Sequence, residues 1–129
     1  MRYNLLMEIK KSIQLTTEPL SHLIEAGESI DFRLDQAVWK DLQNGDLIEF
    51  WEDLSGWQTE PADDARKVLV QIKKIYKASN FLELFEIIES DTEIPGSKHS
   101  LLEGLRGWWS EEKEVEEGVL AFYVVVIKS

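Results

Sequence analysis

The feature that most constrains the fold is an almost unbroken apolar run near the end of the chain. Residues 119–127 read Val-Leu-Ala-Phe-Tyr-Val-Val-Val-Ile, and we predict one strand from Gly118 to Lys128. Apolar residues on both faces are typical of a strand inside a sheet. As an exposed edge, such a strand would promote aggregation. We therefore expect a fold that covers it, and a closed or nearly closed barrel does so.

The rest of the chain alternates between short strands and short helices. Period-two patterns predict strands at Glu8 to Leu15, Ser29 to Asp35, Asp46 to Trp51 and Lys67 to Tyr76. Helix signals predict one helix from Pro19 to Gly27 and others that begin at Asp35, at Asn80 with Glu83 and at Ser100 with Glu103. Helices this short rarely form crossovers between parallel strands. We predict an α+β fold, a small mixed β-barrel with short helices packed around it, as a single domain over residues 1–129.

Composition and charge exclude several classes of protein. The chain has 129 residues, of which 43% are hydrophobic, as in a globular domain. A net charge of −11 argues against a non-specific nucleic-acid binder, whose affinity comes from Lys and Arg. Cys is absent, and we find neither a signal sequence nor an apolar stretch near the roughly 20 residues of a membrane span. We expect a cytoplasmic protein without membrane contact.

No familiar catalytic signature is present. The chain has no phosphate loop, dinucleotide-binding turn, zinc helix or nucleophile elbow. The two histidines, His22 and His99, lie far apart and fit ordinary surface positions. We therefore expect no metal and no cofactor. The acidic run from Glu111 to Glu117 is interpreted as a solvated face or loop.

The strand Ser29 to Asp35 carries the best candidate for a binding site. It alternates strictly, so that Phe32 and its apolar neighbours face one way and Asp31 and Arg33 the other. Arg33 stands between two carboxylates and can present a rigid guanidinium fork that they hold in place. The alternative is a surface ion-pair ladder that contributes less than ~1 kcal/mol.

Five tryptophans are many for this length, and aromatic faces can stack on nucleic-acid bases. Trp39 and Trp51 lie in amphipathic segments, and we expect them to be structural. Trp57 lies in a loop. The adjacent Trp108 and Trp109 cannot point the same way on a helix, so we expect one to face the core and the other a cleft.

Several pieces occur in a familiar order. A Gly ends a helix, an acid stands two residues before an arginine in the next strand, Gly-Asp precedes an apolar strand, and an aromatic pair is followed by acids and a Gly-Val-Leu strand start. In this sequence the pieces are Gly27, Asp31 with Arg33, Gly45-Asp46, Tyr76 through Leu84, Trp108-Trp109 and Gly118-Val119-Leu120. Together they resemble the ASCH domain, a family of small PUA-like barrels.

The resemblance implies a polar cleft beside the strand of Asp31 and Arg33 that binds RNA or a nucleotide-like ligand. Arg33 would contact a phosphate or carbonyl, while Asp31 and Asp46 would orient the ligand or bind base edges. Stacking would come from Tyr76 and from one of the two adjacent tryptophans. The full set of implied ligand-binding residues is Ser29, Asp31, Arg33, Asp46, Tyr76, Trp108 and Trp109.

The chain departs from the family signature Gly-x-Lys-x-x-Glu-x-Arg. Glu28 or Ser29, depending on the register, occupies the lysine position. Related amidohydrolases that cleave acylated cytidine need that lysine and a threonine where Asp31 stands, so we expect no such activity. Two alternatives stay open. One is a small hydrolase of another type acting on a modified nucleoside or RNA, including a ribonuclease, and the other is a protein-interaction module whose acidic surface meets a basic partner.

Overall fold

The computed structural model describes residues 8–94 and 96–128. Along the described chain the elements are β1 (Ile9–Thr16), α1 (Thr17–Ala26), β2 (Glu28–Leu34), a 3₁₀ turn (Ala37–Trp39), β3 (Leu47–Asp53), β4 (Lys67–Ala78), α2 (Phe81–Glu89), α3 (Lys98–Trp108), α4 (Glu111–Glu117) and β5 (Val119–Lys128). This mixture of strands and helices confirms the α+β class. None of the described helices is long and apolar enough to cross a membrane.

The five strands form one mixed sheet in the order β1-β3-β4-β5-β2. β1 runs parallel to β3, with Ile13 opposite Phe50. β3 runs antiparallel to β4, with Phe50 opposite Val68. β5 has a neighbour on each side, and its residues from Val119 to Phe122 are at most 1% exposed. The apolar run is therefore an internal strand, as predicted, and its first four residues are buried on both faces, whereas Ile127 near its end is 38% exposed.

The chain divides into two compact units, which are described separately. Among the described residues, the first contains 8–29, 42–74 and 123–128. The second contains residues 30–41 and 75–122. The single domain expected over residues 1–129 stays a prediction.

In the first unit, α1 ends where the sequence predicts. Gly27 has a φ of 79°, in the left-handed region that glycine adopts most easily, and its N–H donates to the Leu23 carbonyl at 2.8 Å. Leu20 and Leu23 are at most 1% exposed and form the buried face of the helix. The helix begins at Thr17, so Pro19 lies in its first turn, where a proline is tolerated.

Gly45 also forms a turn before β3. Gly45 has a φ of 96°, and its N–H donates to the Ile72 carbonyl at 2.7 Å. The Ile72 N–H returns a bond to the Asp46 carbonyl at 2.8 Å. The Asp46 carboxylate accepts from the Gln43 N–H at 2.9 Å, so this side chain stabilises the turn.

In the second unit, α2 has the predicted cap. The Asn80 side chain accepts from the Glu83 N–H at 2.8 Å, and the Glu83 carboxylate accepts from the Ser79 N–H at 3.3 Å. The return bond thus reaches Ser79, one residue before the position of an ideal capping box. Phe81 and Phe85 belong to the buried face of the helix.

The helix predicted from Asp35 is wrong, because the segment forms only the three-residue 3₁₀ turn. The Asp35 N–H donates to the Gly118 carbonyl at 3.0 Å, which extends the strand and not a helix. Its carboxylate lies 3.9 Å from the Lys77 ammonium and caps nothing. The local capping signal is therefore outweighed by pairing with a residue far along the chain.

Two further expectations in the second unit need correction. α3 begins one turn earlier than predicted, because the hydroxyl of Ser97, and not that of Ser100, provides the cap by accepting from the Ser100 N–H at 3.3 Å. The acidic run is a helix, α4, because Ser110 caps it by accepting from the Lys113 N–H at 3.3 Å. Glu111, Glu112 and Glu116 are exposed, as expected of a solvated face, whereas Glu114 is 2% exposed.

Candidate functional site

Asp31 and Arg33 form the centre of the candidate site, in the second unit. The Arg33 Nε donates to Asp31 Oδ2 at 2.8 Å, and Nη2 lies 3.5 Å from Oδ1. The two side chains are 17% and 13% exposed, so the pair is largely covered. The alternative of an exposed ion-pair ladder does not fit this low exposure. Because a covered pair is less screened by water than an exposed one, Asp31 holds the guanidinium firmly in one orientation.

Trp39 adds an aromatic surface to this pair. The guanidinium carbon of Arg33 lies 5.6 Å from the Trp39 ring centroid, within the range of a cation–π contact. The Trp39 ring is itself packed against Phe122, whose ring meets it edge-on with centroids 5.9 Å apart. Arg33 is thus oriented by a carboxylate and an indole together.

The indole nitrogen of Trp39 has an unusual environment. Nε1 is buried and has no hydrogen-bond partner among residues 8–94 and 96–128. A buried donor without an acceptor costs about 1 to 3 kcal/mol, so such groups are rare in native proteins. The sequence predicted a structural Trp39 and missed its contact with Arg33, because the 3₁₀ turn that places it leaves no periodic signal.

The other predicted ligand residues have different surroundings. Ser29, in the part of β2 that belongs to the first unit, is half-buried. Asp46 stabilises the turn described above. Tyr76 is 4% exposed, and its hydroxyl donates to Asp91 at 2.7 Å. Because the Tyr76 ring is covered by protein, it has no open face on which a base could stack.

The two adjacent tryptophans differ in exposure, but only Trp108 lies in α3, and Trp109 is the extended residue that ends the helix. Trp108 is 61% exposed. Trp109 is half-buried, and its ring lies 6.1 Å from that of Phe81. One ring therefore packs on the protein while the other faces solvent.

Sequence reasoning missed a buried carboxylate in the second unit. Glu114 accepts from the Phe81 N–H at 2.5 Å and forms an ion pair with Arg106. It thereby caps the beginning of α2 from another helix. No local signal distinguishes Glu114 from the other acids of α4, since its partners lie elsewhere in the sequence.

A second buried carboxylate, in the first unit, has a recognisable signal. Asp53 is followed by Leu-Ser-Gly, a sequence typical of a side-chain turn. It is 1% exposed and accepts from the N–H groups of Ser55 at 3.2 Å, Gly56 at 2.9 Å and Gln58 at 3.1 Å. Gln14 on β1 also donates to it at 3.0 Å. Burial by itself would raise the pKa of Asp53, but the backbone N–H groups outweigh it and lower the pKa below its ordinary value of 3.8.

This pKa predicts acid-sensitive stability. A carboxyl whose folded-state pKa is lowered stabilises the protein above its unfolded-state value, and we expect that contribution to be lost as the pH falls below 3.8. Asp53→Asn should lower the free energy of unfolding by about 2 kcal/mol at neutral pH. It should also make that free energy depend less steeply on pH in the acid range. Denaturant unfolding over a pH series measures both.

Glu52 provides the matched control, because Arg66 and Thr17 lower its pKa as well. Glu52→Gln removes that separate contribution and leaves the loop around Asp53 intact. If Asp53→Asn kept the pH slope of the unmodified protein, Asp53 would not be the titrating group.

No cluster of three or more His, Cys, Asp or Glu side chains suited to a metal ion occurs in the described part of the chain. His99 lies 2.9 Å from Glu103 on α3, with both side chains largely exposed. These two form a surface pair.

Comparison with known proteins finds similar folds but does not indicate a function. No family model matches the chain, and no curated protein matches it. Among solved structures it is similar to the crystal structure of hypothetical protein PH0355, with a TM-score of 0.66 and 27% identity over 91% of this chain and 98% of that one. It is also similar to the solution structure of protein PF0455 from Pyrococcus furiosus, with a TM-score of 0.61 and 24% identity over 92% and 99%. Both likenesses concern the fold, and neither assigns a ligand.

Proposed function

We propose that this chain is a small PUA-like barrel of the ASCH type that binds RNA or a nucleotide-like ligand through Arg33. The observation that carries the proposal is the double support of the guanidinium, by Asp31 at 2.8 Å and by Trp39 at 5.6 Å from its ring centroid. An arginine held in this way loses little conformational freedom when it binds. Its planar fork matches the oxygens of a phosphate or of a base carbonyl.

The Trp39 indole supports an oxygen-bearing ligand. Its buried N–H has no acceptor within the described residues. A ligand oxygen would supply the missing acceptor and recover the free energy that the unpaired donor costs. Donors on Arg33 and Trp39, with an acceptor on Asp31, together suit a nucleotide, which carries phosphate and carbonyl oxygens as well as amino groups.

The charge of the chain limits the kind of binding. At a net charge of −11, long-range attraction for a phosphate backbone is absent, so affinity must come from a few local contacts. The resemblance to ASCH domains supports the same assignment. The lysine and threonine of the related amidohydrolases are missing, so the proposal is binding without that catalysis.

The direct test is calorimetric titration with the four ribonucleoside monophosphates and with short single-stranded RNAs of mixed sequence. Saturable binding of one of them at equal stoichiometry is expected. Ribose and inorganic phosphate serve as controls for the separate parts of a nucleotide. If none of the nucleotides or RNAs bound, the proposal would be wrong.

Trp39→Phe tests the role of the indole N–H. Phenylalanine keeps an aromatic face for Arg33 and removes the donor. We expect the affinity for the ligand found above to fall about tenfold, the value of one hydrogen bond. Calorimetry with the same ligand measures the change.

Trp108→Phe is the matched control, because it also removes an indole N–H, but from a side chain that is 61% exposed. Its affinity should change little. An unchanged affinity in Trp39→Phe would mean that the indole N–H does not contact the ligand.

A further inference from the structure

A loop of the first unit exposes two large apolar side chains within four residues. We call residues 54–65 the tryptophan loop. Leu54 is 72% exposed and Trp57 is 82% exposed. Exposed apolar groups that lie together mark interaction surfaces more often than isolated ones do, and tryptophan is the residue most enriched at the energetic centres of protein interfaces.

The beginning of the tryptophan loop is held in one conformation. Asp53 accepts from three of its backbone N–H groups, as described above. The Gln58 side chain accepts from the Leu54 N–H at 2.9 Å, and the Ser55 hydroxyl accepts from the Trp57 N–H at 3.3 Å. Because these hydrogen bonds restrain the backbone without a partner, binding at Trp57 should cost less conformational entropy than binding to an unrestrained loop.

The charge of the loop decides which partner fits. Between residues 54 and 65 the chain has three acidic residues and no basic one. All three acids, Glu60, Asp63 and Asp64, are exposed. Acidic surroundings repel the phosphates of a nucleic acid and attract lysine and arginine. A tryptophan face is also the best aromatic surface for a cation.

We propose that the tryptophan loop is a docking surface for a basic segment of a protein partner. A lysine or arginine of the segment lies on the Trp57 indole, its neighbours pair with Glu60, Asp63 and Asp64, and an apolar side chain covers Leu54. This surface uses other residues than the Arg33 site, and it does not depend on ligand binding there.

Fluorescence anisotropy tests the proposal with a short labelled peptide of arginine, serine and leucine. A counterpart peptide with glutamate in place of arginine should not bind. Trp57→Ala should weaken the basic peptide about tenfold, since it removes the cation–π contact and the apolar surface. Because the Trp57 side chain is exposed, the thermal unfolding midpoint of this variant should be unchanged. Trp108→Ala, which removes another exposed tryptophan, should leave peptide binding intact.

Charge is controlled separately, since an acidic protein attracts basic peptides in general. A triple variant, Glu60→Gln with Asp63→Asn and Asp64→Asn, is compared with Glu111→Gln, Glu112→Gln and Glu116→Gln on α4, exposed residues that give the same change in net charge. Only the loop variant should lose binding, by about tenfold or more. If both triple variants weakened the peptide equally, if Trp57→Ala had no effect, or if the peptide did not bind, the proposal would be overturned.

Discussion

Replacing Phe32 by alanine is expected to lower the free energy of unfolding by about 3 to 5 kcal/mol. The Phe32 ring is 9% exposed and meets Phe85 edge-on at 5.5 Å between centroids and Phe81 at 6.4 Å. Alanine would leave a cavity against α2, because helix and strand backbones adjust little to a missing ring. It would also lose two edge-to-face aromatic contacts. Denaturant unfolding measures the loss, which should appear as a lower midpoint with an unchanged dependence of the unfolding free energy on denaturant concentration.

Arg33→Lys is the matched change on the other face of the same strand. Lysine keeps the positive charge beside Asp31 but lacks the planar fork. We expect it to cost about 1 kcal/mol of stability and to weaken the nucleotide ligand about tenfold, while folded Phe32→Ala binds normally. If Phe32→Ala weakened binding and Arg33→Lys did not, the site would be assigned to the wrong face.

The faces of β2 and the position of β5 could be predicted because their signals are local. A strand places alternate residues on opposite faces whatever it packs against, so Phe32 was correctly assigned to the core. The run from Val119 to Phe122 is apolar on both faces, and it lies inside the sheet. The caps at Asn80 and Gly27 depend on a few adjacent residues in the same way.

The surroundings of Arg33 could not be predicted, because they depend on distant parts of the chain. Trp39 reaches the guanidinium since the chain turns at residues 37–39 and does not continue as a helix. The Asp35 N–H just before that turn bonds to the Gly118 carbonyl, a pairing that no local pattern shows. The low exposure of Asp31 likewise comes from tertiary packing, so alternation alone left both a binding site and an exposed ion-pair ladder open.

The two proposed surfaces can be tested independently, because they use different residues. Arg33, Asp31 and Trp39 lie in the second unit, and the tryptophan loop lies in the first. Their charge requirements are opposite: the first presents donors to oxygen atoms, and the second presents acids to cations. A Trp57 variant should therefore keep nucleotide binding, and a Trp39 variant should keep peptide binding.

Glu114→Ala is expected to lower the free energy of unfolding by about 3 kcal/mol. The carboxylate is 2% exposed, accepts from the Phe81 N–H at 2.5 Å and pairs with Arg106. Its removal leaves the first N–H of α2 without an acceptor. It also leaves the guanidinium of Arg106 without its carboxylate, although that side chain is 29% exposed and water can reach part of it. This partial access places the expected loss at the lower end of the range for a broken buried pair.

Two further variants separate the contributions of Glu114. Glu114→Gln keeps an oxygen for the Phe81 N–H and removes only the charge, so it should lose about half as much as alanine. Glu112→Ala changes an exposed acid on the same helix and should stay within about 0.5 kcal/mol of the unmodified protein. Denaturant unfolding of the three variants under one condition gives the comparison. Equal losses in Glu114→Ala and Glu112→Ala would contradict a stabilising role of the buried contacts from Glu114 to Phe81 and Arg106, since alanine itself favours a helix.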